Sequence, residues 1–273
     1  MTTVSVVIPA YNGARYIRAA VESVLVQAGV DFELVVVDDH SKDDTAAIVE
    51  AMRDPRVRVL RNPSNLGPEG NWNRALELAT GRYVKLLPQD DLLQPGSLAG
   101  QVAVLDADTD ERIALVFGAR DIIGPTGRVL TRRGLRGVPP GRVPAAALVR
   151  HCVRRGTNVI GEPGAILFRR ALADKVGRFD GQQGFVIDLD YWIRLLAYGD
   201  AWYMAEPVSS FRISRGSWSV AIGRRQSRQY TDFIARMKSA GHVSNSRSDL
   251  VIGKAAAHMN TALRLVFYRL FIR

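Results

Sequence analysis

The sequence predicts an α/β fold with a largely parallel central sheet flanked by helices and a basic helical extension at its C-terminal end. Three observations carry this expectation. β-branched runs alternate with helical stripes three times within about 90 residues, the period of βαβ units whose sheet is covered on both faces. The runs end at residues 9–12, 38–39, 62–67 and 88–91 in Pro, Asn, Asp and Gly. Those ends converge on one edge, the edge at which open parallel sheets bind ligands. The net charge of +10 is also uneven: the first 105 residues carry −3 and the last 58 carry +8.

The elements follow in order. VSVVIPA, Val4–Ala10, is a short β-branched run of the kind buried on both sides. From Gly13, apolar residues at Ile17, Ala20, Val21, Val24 and Leu25 form a helical stripe. Residues 33–39 form a second strand, and Ser41 or Asp43 caps a helix reaching about Met52. Residues 57–62 form a third strand, 63–70 a loop, 72–79 a helix stopped by Gly81, and 82–87 a fourth strand. Beyond residue 105 the pattern loosens. Residues 113–118 and 165–168 read as strands, 125–127 as a hairpin turn into 128–131, and 132–144 as a Gly/Pro/Arg loop. Ala145–Arg155 and 188–198 read as helices, and 216–249 is polar and basic.

Composition narrows the function classes. With 47% hydrophobic and 23% charged residues, the chain has ordinary globular composition. Cys152 is the one cysteine, so no disulfide framework forms, and a reducing compartment is expected. The N-terminus lacks the pattern of a signal peptide, and no run of eighteen apolar residues occurs. A cytoplasmic location is expected, with peripheral attachment to the inner face of the cell membrane. The basic tail points to an anionic surface. No nucleic-acid motif accompanies it, so no specific nucleic-acid partner is expected. A dinucleotide-binding G-x-G-x-x-G turn is missing after the first strand.

Five segments carry candidate chemistry or binding. Asp38 and Asp39 end an apolar strand; they either punctuate the strand and cap the next helix or accept hydrogen bonds from a base or ribose. Asp90 and Asp91 are adjacent hard oxygen ligands suited to Mg²⁺ or Mn²⁺, a metal that would bridge a diphosphate; the competing reading is a helix N-cap before residues 92–105. In the helix beginning IDLDYWIRL, Tyr191, Trp192, Leu195 and Leu196 form one stripe at 100° per residue. Asp188 falls within it and Asp190 points almost opposite, toward Arg194. An inward carboxylate is costly unless partnered or functional, so Asp188 is the candidate general base, with a helix N-cap as the alternative. Arg128, Arg132, Arg133, Arg136 and Arg142 form either a solvated face or a grip on a phosphate-bearing acceptor. The terminal run LRLVFYRLFIR, too short and too charged to span a bilayer, either caps the core or lies on an anionic membrane through residues 250–273.

At these residues the chain resembles the inverting glycosyltransferases of family 2, which have the GT-A fold. VSVVIPAYNGARYIRAAVESVLVQ, ELVVVDDHSKDDT, NPSNLGPEGNWNRALELATGRYVKLLPQDDLL, GEPGAILFRRALADKVGRFDG and IDLDYWIRL are similar to that family's ordered segments, over about residues 3–215. The resemblance implies a Rossmann-like, mostly parallel sheet. It also implies a nucleotide-sugar-binding half over 1–105, an acceptor half over 106–215 and an extension over 216–273. It implies a nucleotide-diphosphate sugar donor, most often a UDP-sugar, bound by Pro9, Tyr11, Asn12, Asp39 and Asn65. Asp90 and Asp91 would hold Mn²⁺ or Mg²⁺, and Asp188 would be the base. A saccharide or lipid-linked acceptor follows, in surface polysaccharide or glycolipid assembly. Two departures stand out: Pro88 and Gln89 precede the Asp pair where members often have a further carboxylate, and Ser214 stands where a His is common. Arg212, Arg215 and Trp192 are therefore the candidate diphosphate or acceptor contacts. A non-catalytic nucleotide-binding protein on the same fold and a nucleotidyltransferase are the alternatives.

Overall fold

The computed structural model describes residues 2–214 and 216–271. The first half builds as expected: β1 (Val4–Ala10), α1 (Ile17–Leu25), β2 (Phe32–Asp38), α2 (Thr45–Glu50), β3 (Val57–Arg61), α3 (Gly67–Glu77) and β4 (Tyr83–Leu86). β1 pairs in parallel with β2 and β4, and β2 with β3. Alternate residues serve opposite faces, as the period of two requires. Val6, Ile8, Leu34 and Val36 pack with α1, while Val7, Val35, Val37 and Val84 pack against the α3 side. α3 starts five residues before the expected Trp72. Gly67 enters at φ +74°, and Pro68 and Glu69 then occupy the first turn, where a missing N–H costs nothing and a carboxylate suits the helix dipole.

After β4 the chain departs from the expectation of a largely parallel sheet. β5 (Leu92–Leu93) precedes α4 (Ser97–Ala107), so the expected helix starts five residues late. β6 (Ile113–Ile123), β7 (Val129–Arg133), β8 (Gly141–Val143), α5 (Ala145–Arg155), β9 (Ile166–Arg169), α6 (Arg170–Val176) and α7 (Ile187–Leu195) follow. β10 (Asp200–Arg212), α8 (Trp218–Ile222), α9 (Gln226–Ser239) and α10 (Arg247–Phe271) complete the fold. The sheet order is β3-β2-β1-β4-β9-β6-β10-β5, with β7 on β6 and β8 on β10. β9 runs antiparallel to both β4 and β6, whereas β6 and β10 are parallel. Parallel pairing thus governs the first four strands and one later pair, and β9, running the opposite way between β4 and β6, joins the two parallel groups.

The C-terminal helices share the core of the main body. Tyr230, Phe233 and Met237 of α9 and Ala257 of α10 are buried in the same apolar cluster as Phe168, Tyr191 and Trp192. α10 lies against α5 at very short range: Asp249 accepts bonds from Arg150 (2.9 Å) and Arg154 (2.6 Å), and Asn260 donates to the Arg155 carbonyl (2.7 Å). The core-capping reading of the terminal run holds for part of it. Phe267 and Tyr268 pack on Ile122 and Ile213, while Ile252, Met259, Leu263, Val266 and Leu270 form an exposed stripe at spacings of seven, four, three and four. Among the described residues no helix is long and apolar enough to cross a membrane.

Candidate functional site

The loops after β1, β2, β3 and β4 are tied together by side-chain to backbone bonds. Ser41 Oγ accepts the Asn12 amide (2.9 Å), and Asn12 Oδ1 accepts the Lys42 amide (2.9 Å). Asn65 Nδ2 donates to the Asp39 carbonyl (3.1 Å). Gln89 binds both backbone groups of Tyr11, accepting its N–H (2.8 Å) and donating to its carbonyl (3.0 Å). Gln89 therefore has work of its own where a metal-binding carboxylate is often found: it fastens the β4 loop to the β1 loop. Gly13 makes room for it, since a Cβ there would lie 2.1 Å from the Gln89 amide oxygen. Pro9 is buried near the end of β1, two residues after the ladder with β4 stops at Val7, so its missing N–H falls where the strand is no longer flanked on both sides.

Asp39 is 1% exposed and holds the β3–α3 loop. Its carboxylate accepts Asn62 Nδ2 (2.8 Å) and the amides of Leu66 (2.8 Å) and Gly67 (3.0 Å). A carboxylate has about four acceptor positions, so roughly one remains for a ligand. Asp39→Ala strands three donors, each unpaired buried group costing about 1–3 kcal/mol before relaxation. We expect a stability loss of at least 2 kcal/mol in urea unfolding; a loss within error would mean the loop closes without it. Asp38 lies behind, fully buried, paired with Arg61 (3.0 Å).

Asp90 and Asp91 part company. Asp91 is 1% exposed and its Oδ1 accepts the Arg212 amide (2.8 Å), joining the β4 loop to the end of β10. Asp90 lines a cavity of about 210 Å³, together with Glu162, Asp188 and Arg212. Burial raises Asp90 above the usual carboxylate range; burial and then the Asp90 charge raise Asp91 further. Arg212 is 5% exposed; it binds the Asp90 carbonyl (2.8 Å) and the Gly124 carbonyl (3.1 Å) and lies over the Tyr16 ring. Arg215 lies outside the described residues.

Asp188, on the first turn of α7, lines this cavity. Its Oδ2 accepts Asn158 Nδ2 (3.0 Å) and its Oδ1 the Leu189 amide (2.7 Å). Burial first, and then the Glu162 charge, push it up to about 7. The companion expectation, that Asp190 faces outward with Arg194, is half corrected. The Arg194 pair is present (2.6 Å), but Asp190 is 3% exposed because α9 covers that face and adds Arg236 (3.1 Å). Trp192 is fully buried against Phe168 and Phe179 and lines no part of this cavity. It is a core residue whose indole donates to the Gly161 carbonyl (3.3 Å), so the expected ligand contact gives way to packing.

Several residues of the site gave no signal in sequence. Glu162 sits in a loop without periodicity; burial opposes its charge, but Arg120 and Arg133 hold it below the ordinary range, and Arg120 binds it at 2.6 Å. Lys85, fully buried and pushed down to about 7 by burial alone, donates to the Gly164 carbonyl (2.9 Å) and anchors that loop. Arg264 arrives from α10; in sequence it is one of the charges interrupting the apolar run. Trp72, Phe185 and Trp218 supply aromatic walls.

The half-buried carboxylate of Asp188, Asp90 in the same cavity and loop-held carboxylates thus lie at the edge of the parallel half-sheet. The glycosyl transferase family 2 profile matches residues 5–177. The chain belongs to this family. Among curated relatives, the Escherichia coli UDP-Glc:alpha-D-GlcNAc-diphosphoundecaprenol beta-1,3-glucosyltransferase WfgD is 34% identical over 120 residues, 44% of this chain and 46% of that one. Solved structures share the fold. S. aureus TarS 1–349 in complex with UDP-GlcNAc superposes with a TM-score of 0.67 at 18% identity, covering 100% of this chain and 76% of that one. The mannosyltransferase PcManGT from Pyrobaculum calidifontis, in complex with GDP-Man and Mn²⁺, gives 0.62 at 19% identity, covering 97% and 74%. The chain spans 46–61% of the length of the first curated relatives it matches.

Proposed function

We propose that this protein is an inverting glycosyltransferase that moves a sugar from a nucleotide-diphosphate donor, a UDP-sugar, to an acceptor hydroxyl in surface polysaccharide or glycolipid assembly. One observation carries the reading: Asp188, a carboxylate raised to about 7, lines the same cavity as Asp90 at the sheet edge. A group near neutrality is suited to take a proton at physiological pH. Tyr11, 44% exposed, offers a ring to the base, and Asp39 offers its remaining acceptor position. Pro9, Asn12 and Asn65 shape that rim through the backbone. Trp72, Phe185 and Trp218 fit the apolar faces of a pyranose. Asp188 accepts the acceptor proton as the oxygen attacks the anomeric carbon, and the bond to the nucleoside diphosphate breaks with its electron pair on phosphate. Configuration inverts in this single displacement.

The donor set fits a small hard cation. Among the described residues no group of three or more His, Cys, Asp or Glu is gathered to hold a metal. Mg²⁺ and Mn²⁺ commonly take one or two carboxylates and complete their shells with phosphate oxygens and water. Asp90 would hold such an ion with Asp91 behind it, and the ion would neutralise charge on the departing diphosphate. We expect chelation with EDTA to remove most transfer, Mn²⁺ or Mg²⁺ to restore it, and Asp90→Ala to abolish the restoration. Full activity in chelator sinks the metal assignment. A thermal-shift screen of UDP-, GDP- and dTDP-sugars tests the donor class, since a donor stabilises the fold by mass action.

The exposed apolar stripe of α10, flanked by Lys254 and Arg269, supports attachment to an anionic membrane. Attachment there matches a lipid-linked acceptor and a site on the inner face of the cell membrane.

A further inference from the structure

The reacting cavity shares a wall with a second cavity of about 380 Å³. Arg133, Thr157, Asn158, Arg264 and Phe267 line both. The second cavity is lined by six arginines and by no carboxylate. They converge from separate elements: Arg120 from β6, Arg132 and Arg133 from β7, Arg136 from the following loop, Arg155 from α5 and Arg264 from α10. Two are neutralised from outside the cavity, Arg120 by Glu162 (2.6 Å) and Arg132 by Asp121 (2.8 Å). Among the described residues, Arg133, Arg136 and Arg155 form no ion pair, and the bonds of Arg264 run to the neutral side chains of Gln226 (3.2 Å) and Thr157. A solvated basic face spreads its cations outward along one element; here they line a concavity from five.

We propose that this cavity binds the phosphoryl or diphosphate group carried by the acceptor, so that the attached sugar presents its hydroxyl to Asp188. This rests on the glycosyl-transfer reading of the neighbouring cavity. Guanidinium forks match phosphate oxygens in pairs, and a diphosphate compensates several of them at once. Asn158 links the two cavities: it lines both and donates to Asp188 (3.0 Å). The rim identifies what the phosphate is attached to. Leu263, 60% exposed, and Phe267 line the cavity on α10, and the apolar stripe continues through Val266 and Leu270. A prenyl chain leaving the diphosphate would run along that stripe. Burial, followed by the Arg133 charge, lowers Arg264, a strain that a bound anion relieves.

Farnesyl diphosphate is a suitable probe, with farnesol and inorganic pyrophosphate as controls, titrated into the full chain saturated with UDP and Mg²⁺. Arg136 and Arg155 are exposed and do not line the reacting cavity, so Arg136→Ala/Arg155→Ala should fold normally. Farnesyl diphosphate should bind beside UDP, pyrophosphate should compete with it, and farnesol should not bind. The double variant should lose about tenfold or more in farnesyl diphosphate affinity, the cost of charge-assisted bonds, at unchanged UDP affinity. Displacement of the probe by UDP overturns the proposal, because the probe then occupies the donor's diphosphate site. So does a double variant that keeps its farnesyl diphosphate affinity while losing phosphatidylglycerol vesicle binding, which would make the arginines a headgroup contact. A wild-type chain that binds the probe in this arginine-dependent way but fails to bind UDP leaves the anion site standing and removes the glycosyl-transfer reading alone.

Discussion

Asp188→Asn is expected to lower sugar transfer by about 10²–10⁴-fold, the usual contribution of a positioned general base, with UDP affinity nearly unchanged. The amide keeps the volume and can still accept from Asn158, but it takes no proton. Normal turnover by this variant would remove Asp188 from the mechanism. The wild-type pH profile should carry an acidic limb near 7, the value to which burial and the Glu162 charge raise this carboxyl. Below that pH the base is protonated and the rate falls about tenfold per unit. Glu162→Gln removes one of the causes and should move the limb to lower pH. Stability follows the opposite sense. With its folded value raised, Asp188 binds its proton more readily in the folded than in the unfolded chain. Its contribution is therefore lost as pH rises from about 4 through 7. Asn has no such loss, so the stability of the variant relative to wild type should improve between pH 5 and pH 8 in urea unfolding. A gap independent of pH would mean that Asp188 titrates normally.

Gly253→Val is expected to cost about 3 kcal/mol or more, beyond the usual range for overpacking. A Cβ at Gly253 would lie 2.1 Å from the Val153 carbonyl oxygen of α5, and one at Gly156 would lie 2.3 Å from the Ala257 amide. Both obstacles are backbone, so no rotamer change relieves them. α10 must move away from α5, which breaks the Asp249 bonds to Arg150 and Arg154 and withdraws Arg264 and Phe267 from both cavities. Asp39, in the parallel half of the sheet, is held by Asn62, Leu66 and Gly67, none of which lies on α5 or α10. Acceptor-side binding should therefore fail while UDP still stabilises the fold. Equal loss of both would show that the C-terminal helices and the parallel half of the sheet unfold as one unit. Gly253→Ala, with a smaller side chain, should show the same pattern in weaker form.

Much of the edge formed by the first four strands was legible from the sequence. The strands of the first 90 residues are short, apolar and separated by helices, so local period and turn residues fix where each one ends. The helical phase of Asp188 was legible for the same reason, because 100° per residue is a property of the helix alone. Its partners were not. Asn158 and Glu162 lie on a loop 30 and 26 residues earlier, and no local pattern ties that loop to α7. Asp190 shows the limit well: its phase opposite the stripe was right, yet that face is covered by α9, whose Arg236 lies 46 residues on. β10 escaped notice because Glu206 and Pro207 interrupt its alternation, while pairing with β6, β8 and β5 makes it a strand regardless.

The sequence by itself determined the βα order of the first half, the carboxylates at the strand ends and the inward phase of Asp188, all of which depend on residues within a few positions of one another. The tertiary structure alone decided that Asp91 is spent on the Arg212 amide while Asp90 faces the cavity, that Trp192 belongs to the core, and that arginines from β6, β7, α5 and α10 share one concavity. Those outcomes depend on contacts between residues tens to more than a hundred positions apart, where burial and close approach set a side chain's surroundings and no local period reports them.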